Sequence, residues 1–391
     1  MAAFEFSTAT RIVFGAGRLA VAPAEIAALG VSRVLFVTGR SGDRSGALPP
    51  ALEARGISAV PFRVAGEPTI ELAREGTERA RAEGCDGVVA IGGGSALDGG
   101  KAIAALAPNG GDVLDYLEVL GRGRPLARPS LPFVAVPTTA GTGAEVTRNA
   151  VLGSADAGMK ASLRSPFMLP RLAIVDPDLL AGAPPALLAS SGLDALAQLV
   201  EPYLSARANP LTDALAGEGM RRSARSLRRA CLERLDAGER EDLALASLLG
   251  GLCLANAGLG AVHGFAAAAG AMFSAPHGAV CAALLVPSLD VNLRALRARA
   301  PGHEGLQRFR EVAAWLTGRP GATAEEGIAW IAGLVRDLRV PGLARWGMVA
   351  ADVPPLVERA KRASSMRGNP IALGDDELAE IAERSVGDAA R

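Results

Sequence analysis

Along the first 180 residues, short runs of aliphatic and β-branched residues alternate with stretches whose apolar positions recur at helical spacing. Arg33–Thr38, Asp86–Ile91, Pro132–Pro137 and Arg171–Asp176 have the length and composition of strands. Between the first two, Gly46–Arg55 and Thr69–Glu83 predict helices, and this alternation predicts βαβ units around a mostly parallel sheet. After Pro177 the strand signal stops. From Pro184 onward the chain is Ala/Leu-rich with helical periodicity, punctuated by Pro and Gly. The expectation is an α/β domain over residues 1–180 followed by an all-helical domain over 181–391. No repeat period is visible.

Polar residues that interrupt apolar helices are the sharpest chemical signal. Leu243–Leu289 contains no Asp, Glu, Lys or Arg, yet it holds two of the chain's 3 histidines, His263 and His277, in similar settings. Imidazoles in such a stretch must find partners or ligate something. Upstream, Asp194 and Gln198 are spaced i, i+4 and share one helical face. A carboxylate, an amide oxygen and two imidazoles form a candidate divalent-metal cage. Two plainer readings compete with it. The histidines could be hydrogen-bonded core residues, and Asp194, just after Ser190, Ser191 and Gly192, could favour a helix N-terminus.

Composition narrows the function class. With 41 basic and 41 acidic residues in 391, the chain has no net charge and no electrostatic footprint for nucleic acid or an anionic membrane. The basic run Arg221–Arg234 alternates with apolar residues as a solvated helix face does. The uncharged Leu243–Leu289 stretch is broken by Asn256, His263, Pro276 and His277, so core helices explain it better than membrane spans. Cys85, Cys231, Cys253 and Cys281 form no Cys-x-x-Cys pair, which suggests free thiols in a reducing compartment. Met1–Thr10 includes Glu5 and lacks a signal-peptide pattern, and a cytoplasmic protein is expected.

Glycine-rich segments offer two candidate phosphate cradles. Gly15-Ala-Gly17-Arg-Leu-Ala20 follows a possible strand, but no acid for a ribose appears about twenty residues on, and a turn explains it better. Gly92-Gly93-Gly94-Ser95-Ala-Leu-Asp98-Gly-Gly-Lys101 follows a strand directly and leads into a helix. Backbone N–H groups there could close on a pyrophosphate at the helix N-terminus. Pro137-Thr138-Thr139-Ala-Gly141-Thr142-Gly143-Ala-Glu145 is a second strand-to-loop junction. Lysine is scarce, only Lys101, Lys160 and Lys361, and the first of these lies in the glycine-rich segment.

Gly92–Lys101, Pro137–Thr147, Asp176–Leu179, Ser191–Glu201, Val262-His-Gly, Ala275-Pro-His-Gly and Met366–Pro370 together resemble the iron-containing (group III) alcohol dehydrogenase family, in its order and over nearly the whole chain. The resemblance implies a dinucleotide-binding α/β domain, a helical metal-binding domain and catalysis between them. It implies metal ligation by Asp194, Gln198, His263 and His277, with Fe(II) as the ion, or Zn(II). It carries the pyrophosphate loop onto Gly93, Gly94 and Ser95, with Asp98 and Lys101 beside it. Thr138, Thr139 and Thr142 fall near the adenosine and phosphates, Lys160 and Leu179 near the riboses. Asn149 and Ser364 fall near the substrate, Asn149 counted with Asp194, His263 and His277 as catalytic. Leu254–Leu259, Phe265, Ala267 and Ser364–Met366 would wall the pocket.

The implied reaction is reversible hydride transfer between an alcohol and nicotinamide C4, with the ion as Lewis acid, in a homodimer acting on a small alcohol or aldehyde. Three positions depart from the family pattern. Gln198 stands where most members have histidine, a weaker and harder ligand. Ala267 replaces a histidine that would relay the proton, leaving water and a ribose hydroxyl. Gly39, followed by Arg40 and Ser41, stands where NAD-preferring members often have Asp, which favours NADP over NAD. Rival readings are a metal-independent maleylacetate reductase-like enzyme, a dehydroquinate synthase-like lyase and a non-catalytic nucleotide-binding protein. The second lacks the cationic cluster that its anionic substrates require.

Overall fold

Residues 3–40, 42–154 and 159–387 are described by the computed structural model, in which the chain divides into two units, Ser7–Ala181 and Gly182–Arg391 together with Met1–Phe6. In the first, the elements run β1 (Ile12–Phe14), α1 (Ala22–Ala27), β2 (Arg33–Thr38), α2 (Leu48–Glu53), β3 (Ser58–Arg63), α3 (Ile70–Ala82), β4 (Gly87–Gly92), α4 (Gly94–Leu106), α5 (Val113–Tyr116), β5 (Phe133–Pro137), β6 (Asn149–Ser154), β7 (Met159–Arg164) and β8 (Leu172–Val175). Six strands form one parallel sheet in the order β1-β8-β5-β4-β2-β3.

Side-chain alternation explains why this sheet is covered on both faces. Val34, Phe36, Val89, Ile91, Val134 and Val136 pack with Ile26 of α1 and Leu52 of α2. Their neighbours Leu35, Val37, Val88, Ala90, Phe133 and Ala135 pack instead with Leu97, Ile103 and Ala104 of α4 and Ala80 of α3. With both faces buried, each strand reads as a continuous apolar run, which is how β2, β4, β5 and β8 announce themselves in sequence. The expected mostly parallel α/β architecture is present.

Two features escaped the sequence pattern. β3, Ser58-Ala-Val-Pro-Phe-Arg, carries Pro61 and sits at the sheet edge, where a missing N–H is tolerated. β6 and β7 pair antiparallel outside the main sheet, from Asn149 opposite Arg164 to Ser154 opposite Met159. The sheet order also creates a switch point. From β2 the chain goes to β3 on one side, while β4 lies on the other. The carboxyl ends of β2 and β4 therefore flank the kind of crevice in which open α/β sheets bind ligands.

Lys101 ties this end of the sheet together. Its buried ammonium donates to the Ala144 carbonyl at 2.7 Å, to Thr147 Oγ1 at 2.9 Å and to the Asn149 carbonyl at 2.8 Å. Asp98 Oδ1 lies 3.5 Å away. Burial lowers the Lys101 pKa against the pull of Asp98 and Glu145. Lys101 thus pins α4 to the loop leading into β6.

The second unit is helical, as expected: α6 (Pro185–Leu204), α7 (Pro210–Leu232), α8 (Ala237–Ala257), α9 (Ala261–Met272), α10 (His277–Arg299), α11 (Gly305–Thr317), α12 (Ala324–Asp337), α13 (Val353–Lys361) and α14 (Asp375–Val386). α6 is buried almost throughout from Leu188 to Leu204 and packs against α7, α8 and α10. α10 is long and apolar enough to cross a membrane by composition, as are α8 and α9 together, although they bend by 101° at their junction. In α10, 78% of the apolar stretch is buried inside the protein, as in a core helix.

Glu145 is buried beside Lys101, and burial raises its carboxyl to about 7 from 4.5, against its own backbone hydrogen bond and the Lys101 charge. A carboxyl whose pKa is raised by folding contributes stability below its unfolded value and loses it as pH climbs through the folded one. Stability should therefore fall between pH 4.5 and 7, and Glu145→Gln should remove that slope. The variant should gain up to about 3 kcal/mol on the wild type between acid and pH 8, read from urea midpoints. A stability difference that stays constant with pH would contradict a neutral buried carboxyl.

Candidate functional site

The polar residues of α6 form one stripe on an apolar helix. Asp194, Gln198 and Glu201 recur at i, i+4 and i+7, and all three are buried. Asp194 lies mid-helix, the tenth residue of α6, so the helix-start reading fails. Burying three such groups is costly unless each finds a partner.

Glu201 finds several. Its Oε1 accepts from the backbone N–H groups of Gly260 at 3.1 Å and Val262 at 2.8 Å, closing the N-terminus of α9. Its Oε2 lies 2.5 Å from His263 Nδ1. With Nδ1–H donated to Glu201, His263 turns Nε2 toward Asp194 Oδ1, 3.2 Å away. A carboxylate that fixes the far nitrogen of a ligand histidine is a recurrent device of metal sites. Asn369, from the Met366–Pro370 segment, accepts from Ala261 N–H at 3.1 Å and exchanges hydrogen bonds with Asn292 of α10, bracing the same helix end.

His277 opens α10 and reaches the cluster because Gly278 allows close contact. A Cβ on Gly278 would come within 2.4 Å of the Ser190 carbonyl on α6. His277 Nε2 lies 3.7 Å from Asp194 Oδ1. One turn on, the buried Cys281 places Sγ 3.6 Å from His277 Nε2 and 3.7 Å from His263 Nε2. The donor atoms of Asp194, His263, His277 and Cys281 all lie within 4.8 Å of one another. Sequence reasoning brought Asp194, His263 and His277 together correctly in pattern but missed Glu201 and Cys281. Glu201 was signalled by its i+7 spacing from Asp194; Cys281 had no signal beyond its i+4 spacing from His277.

The electrostatics are those of a site built for a cation. Burial alone would raise the Asp194 pKa, but the two imidazoles hold it at about 2. The Cys281 sulfur and Asp194 raise His277 to about 9 against burial. Burial opposes protonation of His263 too, yet Cys281, Glu201 and Asp194 carry its pKa well above the ordinary value. Gln198 Oε1 is buried with no hydrogen-bond partner, which costs about 1–3 kcal/mol if nothing meets it. These residues fit a divalent ion: oxygen and nitrogen donors converge, negative charge is in surplus, and one oxygen is left over.

The α/β unit contains a cradle of a different kind. α4 starts at Gly94 with Gly93 as N-cap, and no side chain caps it. A Cβ on Gly94 would meet Thr142 Oγ1 and Cγ2 at 2.7 Å, and one on Gly93 would meet Thr139 at 3.3 Å. Free N–H groups, two hydroxyl side chains and no room for Cβ suit an anion at the positive end of a helix. Ser95 lies in the first turn of α4, and Thr138 N–H donates to the Gly92 carbonyl at 2.9 Å. Gly39 faces Gly92 across the switch point, the Gly92 Cα being 3.9 Å from where a Gly39 Cβ would stand. The Gly15–Ala20 turn is filled by protein instead, since Asp176 accepts from Gly17 N–H at 3.0 Å and Leu19 N–H at 2.8 Å.

Other predicted residues have definite places. Lys101, expected beside the phosphates, spends its ammonium on the four oxygens described above and acts as a support for the loop. Asp98 accepts from Val151 N–H at 3.0 Å. Lys160 pairs with Glu67 at 2.7 Å. The Leu179 carbonyl accepts from Arg44, a contact the sequence did not suggest. Arg40 is exposed, its Nε donating to the Ala65 carbonyl at 3.1 Å while its own carbonyl accepts from Arg63. Three guanidinium groups thus come from the segment after β2, Arg40 and Arg44, and from the end of β3, Arg63. Ser41 lies outside the described residues. Asn149 begins β6 and is half-buried, Ser364 is exposed, and Met366 lies against Gly264 of α9. Phe265, expected in a pocket wall, is fully buried in the core.

Comparison with known proteins follows the same division. Residues 9–177 match the family model described as iron-containing alcohol dehydrogenase, and residues 188–386 match the C-terminal model of the Fe-containing alcohol dehydrogenase family. A 1,3-propanediol dehydrogenase of Citrobacter freundii is 36% identical over 380 residues, covering 94% of this chain and 95% of the relative. A choline dehydrogenase of Bacillus subtilis is 34% identical, covering 95% and 92%. A lactaldehyde reductase of Escherichia coli K12 is 32% identical, covering 94% and 96%. Among solved structures, a 1,3-propanediol oxidoreductase superposes with a TM-score of 0.90 at 33% identity, covering 98% of this chain and 100% of that one. A sulfoacetaldehyde reductase from Bifidobacterium kashiwanohense, solved with NAD+, reaches a TM-score of 0.86 at 26% identity, covering 99% of each.

Glu201→Gln keeps an oxygen for the α9 N–H groups but removes the charge that orients His263. Zinc affinity, measured by competition with a chromophoric chelator, should fall about 10–100-fold with little change in helical content. Unchanged affinity would remove Glu201 from the site.

Proposed function

The chain belongs to the iron-containing alcohol dehydrogenase family, and on that footing we propose that it is a metal-dependent, NAD(P)-linked alcohol dehydrogenase that also reduces aldehydes. The observation that carries this reading is the convergence of buried Asp194 and His263 with half-buried His277 beside the unpartnered oxygen of Gln198. When bound, the divalent ion, Fe(II) or Zn(II), supplies Lewis acidity to the substrate oxygen, and the nicotinamide takes or returns the hydride.

The residues divide the work. Asp194 gives the site its formal negative charge, the imidazoles give directed nitrogen donors, and Glu201 fixes which nitrogen of His263 faces the ion. The N-terminus of α4 with Gly93, Gly94, Ser95, Thr139 and Thr142 holds the coenzyme pyrophosphate, a role supported by the missing cap and the space only glycine allows. Ala267, exposed on α9, has no titrating group, so the hydroxyl proton passes to solvent. The names of the relatives, all dehydrogenases or reductases, support an alcohol or aldehyde of modest size.

Coenzyme choice follows from Gly39 and Arg40. A side-chain-free residue at the end of β2, with Arg40, Arg44 and Arg63 nearby, supplies positive charge for a ribose 2′-phosphate and no carboxylate to repel it. NADP is therefore the favoured coenzyme, and Gly39→Asp should shift the kcat/KM ratio of NADPH to NADH toward NADH by at least about tenfold. A ratio that does not move would refute the assignment.

A panel of alcohols and aldehydes, tested with both coenzymes on protein reloaded separately with iron and zinc, tests the activity itself. Chelation should abolish turnover and reloading should restore it. His263→Ala should lose bound ion and turnover together. Full activity in that variant, or in chelated protein, would remove the metal from the reaction.

A further inference from the structure

We infer that Cys281 is a metal ligand in this chain, so that Asp194, His263, His277 and Cys281 form a four-donor set suited to zinc or a similar borderline-soft divalent ion. The inference rests on the cation in the reading above and names which residues hold it.

Geometry is the first support. Cys281 lies one turn beyond His277 on the buried face of α10, with Sγ 3.6 Å and 3.7 Å from the two imidazole nitrogens. Asp194 Oδ1 lies 3.2 Å and 3.7 Å from the same nitrogens. A tetrahedral ion with bonds of roughly 2.0–2.2 Å to nitrogen and oxygen and roughly 2.3 Å to sulfur has N···O edges near roughly 3.4 Å and N···S edges near roughly 3.6 Å. These four observed separations scatter about those values, and all six among the four donor atoms lie within 4.8 Å.

Cys253, in the same helical unit, shows what an ordinary buried thiol does. Its Sγ donates to the Thr212 carbonyl at 3.4 Å, and burial pushes its pKa up. Cys281 has the two imidazole nitrogens and the Asp194 carboxylate for neighbours instead.

Charge is the second support. Asp194 and a Cys281 thiolate together match the two charges of the ion, and the Glu201 charge is already met by two α9 N–H groups and the His263 Nδ1–H. Matched charge matters because Asp194, His263 and Cys281 are buried. As the metal–sulfur bond forms, the thiol proton passes to solvent. The thiolate is a stronger and softer donor than the amide oxygen of Gln198, which is left as an acceptor at the margin of the site. That oxygen is itself buried and unpartnered, an independent sign that something binds beside it.

The test uses the full-length protein, stripped by chelator and reloaded with cobalt(II). A thiolate ligand produces an intense near-ultraviolet sulfur-to-cobalt charge-transfer band, expected in the wild type and absent in Cys281→Ser. Because losing even a residue that only supports a ligand costs 10–100-fold in affinity, Cys281→Ser should weaken zinc binding by about 100-fold or more, and Gln198→Ala by less than about tenfold. No band in wild-type cobalt protein, a band that persists in Cys281→Ser, or metal loss in Gln198→Ala alone would each overturn the inference. A cobalt protein with the band but no alcohol turnover would instead uphold the ligand set and overturn the dehydrogenase reading.

Discussion

The helical unit is organised around an electrostatic debt on a single helix. α6 buries two carboxylates and an amide on one stripe, and nothing on α6 itself can neutralise them. The partners come from α9 and α10, which begin at the stripe: His263 lies in the first turn of α9, and His277 is the first residue of α10. Glu201 serves two ends at once, capping α9 and holding the imidazole that α9 carries. Removing the Glu201 charge would loosen a helix start and a ligand together. The close contact at Gly278 and the Asn292–Asn369 pair extend the same brace to α10.

In the α/β unit the governing constraint is steric. Both faces of the sheet are spent on α-helices, so the ends of the strands are the places left for a ligand. The switch between β2 and β4 leaves Gly39 and Gly92 facing each other, and Gly93 and Gly94 carry the backbone into α4 with the hydroxyls of Thr139 and Thr142 against it. Lys101 keeps the adjoining loop in register. Its position two helical turns inside α4 is what makes it a poor phosphate ligand and a good anchor, since the ammonium is closed in by protein oxygens.

Legibility in the sequence followed burial. Strands covered on both faces appear as unbroken apolar runs, so β2, β4, β5 and β8 could be read directly, whereas the edge strand β3 and the β6–β7 hairpin mix polar residues, Pro61 and glycine and look like loop. Asp194, Gln198, His263 and His277 stood out because each is polar in an apolar helix. Cys281 did not, because a cysteine in such a stretch reads as one more small hydrophobe; only the register of α10 against α6 and α9 reveals its neighbours. Lys101 was drawn toward the phosphates by its place in the glycine-rich segment. Which way its side chain points depends on the 144–149 loop, and the linear pattern holds no trace of that.

Buried polar groups in the two units make the most useful contrast. Lys101 is met by three close oxygens and an aspartate, while Glu145 beside it answers burial by holding a proton. That cluster is complete, as one built for stability should be. The α6 stripe is incomplete by the same accounting. Gln198 Oε1 has no partner, and both imidazoles have their pKa values raised by the negative groups around them. One divalent ion can meet the carboxylate, both imidazoles and the thiol at once. An unfinished polar cluster inside an otherwise closely packed helical core is costly unless a ligand completes it. This incompleteness, more than the identity of any single residue, separates a binding site from a well-satisfied core.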